Sequence, residues 1–297
     1  MIRIMEELSQ EIETHKNRNE VGKVWPRISV ITPSFNQAAF LERTLVSVLD
    51  QNYPNLEYIV IDGGSTDGSI EILKKYEHKL AYWVSEKDRG QSHALNKGFE
   101  RATGEIIGWL NSDDLYCRGS LQHVGEWFLA HPQDEAHYGG LYLVDENDRI
   151  TDAHWAAEPD VRYTYFVGMD VHQQSLFWRR ELMERVGMID ESFRFSMDLD
   201  FVLRLMLHGR VSRTTRYLGK FREHDAAKTS NIADICLQEN QIIFDRYREF
   251  FPARPGLKHW LSLFRTARVA LESPAYFAFK IRRRFNWPVP TNWLDRE

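Results

Sequence analysis

Trp109-Leu110-Asn111-Ser112-Asp113-Asp114 joins an apolar segment to two adjacent carboxylates. The apolar part has the composition of a buried β-strand, so both acids are expected just beyond the end of that strand. Carboxylate oxygens suit a hard divalent cation such as Mg or Mn, which keeps coordination positions for substrate phosphates. An isolated Asp-Asp pair is nevertheless more common in a solvated turn, because Asp is a favoured turn residue. The segments on either side have to decide between a turn and a cation site.

Strand patterns alternate with helix patterns from residue 27 to this stretch. Apolar, β-branched runs predict strands at 27–32, 56–61, 80–84 and 105–110, and helical spacing of apolar residues predicts helices at 40–49, 70–76 and 92–102. Because a polar loop follows each strand, we expect a mostly parallel sheet that binds a ligand outside the carboxyl ends of its strands. Asp62, Asp88 and the Asp113-Asp114 pair would then lie along one rim.

Each polar residue near this rim also has an ordinary structural explanation. Asp62 precedes Gly63-Gly64 and could simply form a turn, Asn36 could cap a helix, and Lys97 could be a solvated helix cation. Their shared position at the same end of successive strands is what favours a ligand site.

The composition narrows the class of protein. The 297 residues are 43% apolar and 27% charged, which is ordinary for a globular chain with a full core. The cysteines, Cys117 and Cys236, indicate neither a disulfide framework nor a metal cluster and fit a reducing compartment. No apolar run approaches the roughly 20 residues of a membrane-spanning helix, and residues 1–19 lack the pattern of a signal peptide. A cytoplasmic location is therefore expected.

Charge is distributed unevenly along the chain. The formal net charge is −5, yet residues 251–297 contain nine Lys or Arg and three acids. The body is therefore acidic and the tail basic, which argues against nucleic acid as a partner. Basic residues alternate with aromatic and aliphatic ones over 255–290, a pattern that fits either contact with the inner face of an anionic membrane or packing on the body or a second subunit.

The ordered motifs resemble the inverting, nucleotide-sugar-dependent glycosyltransferases of family 2. The resemblance covers residues 27–225 and rests on the segments 30–37, 59–68, 88–91, 94–98, 102–105 and 110–114. It implies the GT-A fold, an α/β, Rossmann-like, mixed and mostly parallel sheet flanked by helices, with a C-terminal helical extension. The expected division is an N-terminal helical arm (1–24), a GT-A domain (25–225) and a basic amphipathic helical region (226–297).

The resemblance implies a donor side and a cation site. Asp62 would accept hydrogen bonds from the nucleoside, and Arg89 would contact the diphosphate. Asp114 would be the direct ligand of Mn or Mg, with Asp113 as a ribose or outer partner. His224 would complete the metal shell or touch phosphate, although a structural surface residue explains His224 equally well. His93 departs from the acidic residue common in the family. The expected donor-binding residues are Thr32, Pro33, Ser34, Asn36, Asp62, Ser65, Asp88, Arg89, Gln91, Asn96, Lys97, Asn111 and Asp113.

The acceptor side follows the same resemblance. His172 and Gln173 would touch the transferred sugar or the acceptor, although a histidine buried in the core explains His172 equally well. Asp198 begins a predicted helix, where it could serve as a cap, but it aligns with the family's catalytic base. Asp200 is the alternative base and otherwise an expected contact of the acceptor or sugar, and Met197 stands where the family usually has Glu.

The expected activity is metal-dependent, inverting transfer of a hexosyl group from a UDP- or dTDP-sugar. The acceptor would be a hydroxyl of a glycan or lipid-linked molecule in cell-surface polysaccharide synthesis, and the enzyme could be a homo-oligomer. A sugar nucleotidyltransferase is the alternative enzyme, but it would need a Gly-rich loop after the first strand, and residues 32–37 contain no Gly. A non-catalytic GT-A-like scaffold is the remaining alternative.

Overall fold

The computed structural model describes residues 24–224, 233–252 and 254–284. The arm predicted for residues 1–24 lies outside these residues except for Val24, and so does the end of the tail beyond residue 284. The strands are β1 (Ile28–Ser34), β2 (Leu56–Asp62), β3 (Tyr82–Ser85), β4 (Ile106–Trp109), β5 (Leu115–Tyr116), β6 (Ala136–Val144), β7 (Ile150–His154), β8 (Leu176–Arg179) and β9 (Val211–Arg222). The helices are α1 (Leu41–Leu49), α2 (Ser69–Tyr76), α3 (Gln91–Arg101), α4 (Ser120–Ala130), α5 (Val161–Phe166), α6 (Arg180–Val186), α7 (Met197–His208), α8 (Ala233–Tyr247), α9 (Leu257–Glu272) and α10 (Pro274–Arg284).

One sheet contains these nine strands, in the order β3-β2-β1-β4-β8-β6-β9-β5, with β7 paired to β6. The half built from β3, β2, β1 and β4 is parallel, as the alternation with helices predicts. All seven residues of β1 are buried, because helices cover both faces of this half. The second half is mixed: β8 runs antiparallel to β4 and β6, whereas β6 and β9 are parallel. The expected α/β architecture is confirmed.

The carboxyl ends of the first three strands meet at one edge of the sheet. Ser34 lies opposite Asp62, and Asp62 lies opposite Ser85. Gly63 donates its backbone N–H to the carbonyl of Ser34 over 2.8 Å, so the loops that follow β1 and β2 begin side by side. This edge is the rim that the sequence predicts.

Helix α3 lies close to β1. A Cβ atom built on Gly98 would come within 2.4 Å of Ile31 Cγ2, so only glycine allows this approach. The close packing holds the start of α3, which carries Gln91, beside the rim.

The C-terminal helices pack on the body. Ile243 and Tyr247 of α8, and Phe251 just beyond it, join the main core, while Tyr276 and Phe279 of α10 pack against the β6–β7 hairpin. Across the described ranges, no helix has the length and apolar character needed to cross a bilayer.

Candidate active site

A cleft of about 1380 Å³ opens along the rim of the sheet. Its walls come from both halves of the molecule, including the loops after β1, β2 and β4, the segment before β8 and the start of α7. Of the residues predicted from the sequence, those that line it are Pro33, Ser34, Asp88, Gln91, Asn111, Asp113, His172, Gln173 and Asp198.

Asp62 does not face the cleft, although the sequence suggested a nucleoside contact. Its side chain is fully buried, and its Oδ2 atom accepts hydrogen bonds from the backbone N–H groups of Gly64 and Ser65 and from Ser85 Oγ. Its Oδ1 atom accepts the Ser65 hydroxyl over 2.5 Å. Because these bonds occupy the carboxylate, Asp62 acts by fixing the shape of the loop that lines the cleft.

Thr32, Asn36 and Ser65 also support the rim from behind. Thr32 Oγ1 is hydrogen-bonded to the buried hydroxyl of Tyr58 over 3.1 Å. Asn36 adopts a left-handed backbone with φ of 51°. Its N–H donates to Ser65 Oγ and its side-chain oxygen accepts the N–H of Thr66. The loops after β1 and β2 are thereby joined to each other.

Three donor-side predictions fall on residues that bind other parts of the protein. The Arg89 guanidinium pairs with Glu191, and Lys97 pairs with Glu86. Asn96 is buried and exchanges two hydrogen bonds with the backbone of Ile189, at 2.9 and 3.0 Å. None of the three lines the cleft, and Arg89 and Asn96 instead hold the segment before α7 against α3.

The geometry reverses the expected order of the two adjacent acids. Asp113 lines the cleft with a side chain that is 22% exposed. Asp114 is completely buried, and its oxygens accept hydrogen bonds from Gln174 Nε2, Asn111 Nδ2 and the backbone N–H of Arg222. Burial, together with the negative charge of Asp113, raises the pKa of Asp114 well above its usual value. Asp114 therefore holds the turn in place, and Asp113 is the one of the two acids that lines the cleft.

Arg222 and Gln174 were missed from the sequence. Arg222, at the end of β9, is fully buried, donates to the backbone carbonyl of Asp113 and pairs with Asp148. Gln174 follows directly on the predicted His172-Gln173 pair, which was the available signal for it. Arg222 had no comparable signal, since it lies 109 residues beyond Asp113 in the chain.

His224 lies beside Asp113, two residues beyond the end of β9, and it lines a neighbouring pocket with Asp145, Glu146, Asn147 and Glu223 and not the cleft itself. Its Nε2 atom is 3.2 Å from Asp113 Oδ2, and its ring lies 4.5 Å from the ring of Phe40. Its Nδ1 atom is buried and has no hydrogen-bond partner among the described residues. Within those residues no three His, Cys, Asp or Glu side chains converge on one point, and Asp113 and His224 are the neighbouring pair that this part of the chain brings together.

Three buried polar groups point to the cleft without a protein partner. Ser34 Oγ, His172 Nε2 and both polar atoms of the Gln173 amide lack hydrogen-bond partners within the described part of the chain. His172 packs edge-on against His154, and burial lowers the pKa of His172 to about 3, so its ring is neutral at ordinary pH. Buried polar groups are normally paired. A polar ligand in the cleft would provide the missing partners.

Asp198 and Asp200 have different surroundings. Asp198, in the first turn of α7, lines the cleft, and its Oδ1 atom accepts the N–H of Leu199 over 2.8 Å. Asp200 is fully buried and forms hydrogen bonds or ion pairs with Arg204, Arg246 and Tyr247. Asp200 does not line the cleft and is held by these three partners, so Asp198 is the better placed of the two candidate bases.

Glu239 of α8 supports the segment in front of Asp198 and was not predicted. Only 7% of the residue is exposed. Its carboxylate accepts the backbone N–H groups of Arg194, Phe195 and Ser196 over 2.6, 2.8 and 2.8 Å. Ser196 directly precedes α7, so this carboxylate fixes the position at which the helix starts.

The sequence and the site together define a glycosyltransferase. The model of glycosyl transferase family 2 matches residues 29–185, more than half of the chain, and the chain belongs to that family. Among its relatives, the putative teichuronic acid biosynthesis glycosyltransferase TuaG of Bacillus subtilis is 39% identical over 107 residues, which are 35% of this chain and 42% of that protein. Family membership supports glycosyl transfer over nucleotidyl transfer.

Solved structures share the fold. S. aureus TarS 1–349, in complex with UDP-GlcNAc, matches with a TM-score of 0.58 and 18% identity over 84% of this chain and 78% of that one. The mannosyltransferase PcManGT from Pyrobaculum calidifontis, in complex with GDP-Man and Mn²⁺, matches with a TM-score of 0.55 and 22% identity over 90% of this chain and 79% of that one. The expected GT-A fold is confirmed.

Proposed function

We propose that this enzyme transfers a hexosyl group from a nucleoside diphosphate sugar to an acceptor hydroxyl, with inversion at the anomeric carbon. One observation carries the proposal: the same cleft is lined by Asp113 and by Asp198. Asp113 follows the strands of the proposed nucleotide side, and Asp198 comes from the second half of the sequence. Inverting transfer needs a base on the acceptor side of the sugar and charge stabilisation on the leaving-group side. The cleft offers a residue for each task.

Asp198 is proposed as the base. It would take the proton from the acceptor hydroxyl while the oxygen attacks the anomeric carbon from the face opposite the nucleotide. The hydrogen bond donated by the Leu199 N–H and the N-terminal end of α7 both stabilise the carboxylate in its ionised form. His172 and Gln173 would orient the sugar or acceptor, because their buried polar atoms have no hydrogen-bond partner among the described residues.

Asp113 and His224 are proposed to hold the divalent cation, Mn or Mg. The 3.2 Å between Asp113 Oδ2 and His224 Nε2 suits two neighbouring ligands of one ion, and such ions are commonly held by few side chains plus substrate phosphates. When bound, the ion would stabilise negative charge on the departing diphosphate. Asp114 and Arg222 support this pair by fixing the turn that carries Asp113.

The donor is proposed to be a UDP- or dTDP-sugar, and the acceptor a glycan or lipid-linked molecule of a cell-surface polysaccharide. The UDP-GlcNAc complex of TarS and the teichuronic acid assignment of TuaG support these choices. PcManGT holds GDP-Man, so the identity of the base needs a direct test.

Thermal shift with a panel of nucleoside diphosphates and nucleotide sugars, with and without Mn²⁺, tests the proposal. We expect stabilisation by UDP or dTDP ligands that depends on the metal, since a ligand that binds only the folded state raises the melting temperature. A guanosine-only response would refute the choice of donor. No response to any nucleotide would favour a non-catalytic scaffold.

A further inference from the structure

Helix α9 presents an apolar face to solvent. Trp260, Leu263, Phe264 and Leu271, here called the α9 face, are 70%, 48%, 68% and 82% exposed. Their spacing of three, four and seven places them on one side of the helix. On the opposite side Arg265 reaches inward to form an ion pair with Asp170. The helix is therefore fixed to the body with its aromatic side outward.

The chain around the α9 face is strongly basic. Residues 257–284 contain seven Lys or Arg and a single acid, Glu272, which pairs with Arg213 and Arg268. Three acids of the body, Asp152, Glu158 and Asp170, also pair with basic residues of this segment, and a positive surplus is left. The rest of the protein is acidic. An anionic surface would therefore attract this side of the molecule and repel the other, which fixes an orientation.

The start of α9 borders the cleft, on the side of the helix opposite the α9 face. Lys258, two residues before Trp260, lines the cleft, as do Val167 and Met169. Asp170, the partner of Arg265, directly follows Met169 in the chain. A surface that meets the α9 face would thus lie about one helix diameter, roughly 10 Å, from the cleft lining.

We propose that the α9 face docks on an anionic lipid membrane. The aromatic and aliphatic side chains would enter the boundary between headgroups and acyl chains, while the exposed basic residues Arg282, Arg283 and Arg284 contact lipid phosphates. Pairing with a second copy through the same face is less favourable, because a two-fold contact brings identical basic surfaces together. The consequence that a lipid-linked acceptor reaches the cleft from this side rests on the proposed function, whereas docking itself does not.

Vesicle sedimentation of the full chain tests docking without donor or acceptor. We expect binding to vesicles of phosphatidylcholine with phosphatidylglycerol, weaker binding to phosphatidylcholine alone, and release by high salt. The double variant Trp260→Ser/Phe264→Ser should bind about tenfold more weakly, because it removes two large apolar side chains from the interface. Leu129→Ser is the control, since Leu129 is 41% exposed and lies on α4, outside the two basic helices, and this variant should bind as the parent does.

Sedimentation velocity and thermal melting accompany the binding assay. A melting temperature unchanged by Trp260→Ser/Phe264→Ser would show that any lost binding is not lost folding. Absence of binding to anionic vesicles by the parent chain would overturn the proposal. A dimer that this double variant abolishes, without vesicle binding, would overturn it in favour of self-association. Failure of sugar transfer with intact vesicle binding would contradict only the proposed function.

Discussion

The substitution Glu239→Gln should impair the positioning of Asp198, the proposed base, without altering Asp198 itself. Glutamine keeps one acceptor oxygen, which can still accept the N–H groups of Phe195 and Ser196. It loses the hydrogen bond from the Arg194 N–H, and the two remaining hydrogen bonds are no longer made to a charged acceptor. Losing one charge-assisted bond and weakening two costs about 3 kcal/mol of unfolding free energy. Because Ser196 leads into the helix of Asp198, kcat should fall by about a hundredfold, the effect of roughly 1 Å of misplacement.

Urea denaturation would measure the loss of stability, and metal-dependent release of nucleoside diphosphate would measure kcat and KM. Donor KM should stay near that of the parent, since Glu239 does not line the cleft. The exposed Glu249, just beyond the same helix, provides the control Glu249→Gln, which should change stability by less than about 0.5 kcal/mol. Reduced stability with an unchanged kcat would refute the positioning role.

Three further changes test the site and the core. Asp113→Asn should abolish the Mn²⁺-dependent part of the thermal shift given by the bound nucleotide, whereas retention of the full shift would remove Asp113 from the proposed cation site. Gly98→Ala should lower the melting temperature by the equivalent of about 2 kcal/mol, because its methyl group would collide with Ile31 and this outweighs the gain in helix propensity; calorimetry checks the sign. Burial lowers the pKa of His137 from 6.5 to about 2. As the pH falls, this histidine is protonated in the unfolded state before it is protonated in the folded state, so the free energy of unfolding declines between pH 6.5 and about pH 2. His137→Gln should flatten that decline by about 1.4 kcal/mol per pH unit, and an unchanged pH dependence of urea unfolding would contradict the assignment.

The sheet and its rim could be predicted because they follow from local patterns. Apolar runs marked β1, β2 and β4, and the placement of Asp113 at a strand's carboxyl end required only the alternation of strands with helices. The role of Asp198 could be predicted only through the family resemblance, since a carboxylate at the start of a helix has no distinctive sequence pattern of its own.

The orientation of individual side chains could not be predicted. Asp113 and Asp114 are neighbours with the same chemistry, and the choice between them is made by Gln174 and Arg222, which approach Asp114 or the turn from distant segments. Asp62 likewise looked available for a ligand, but its acceptors are occupied by hydroxyl and N–H groups, including one from β3. Such contacts depend on tertiary packing, which periodicity does not report.

Asp198→Asn tests the central claim most directly. The substitution preserves the size of the side chain and removes its capacity to take a proton. The account predicts that transfer falls by about a thousandfold, as expected for loss of a general base, while calorimetric titration with the donor and Mn²⁺ gives an unchanged Kd. Transfer at the parental rate by this variant would contradict the account.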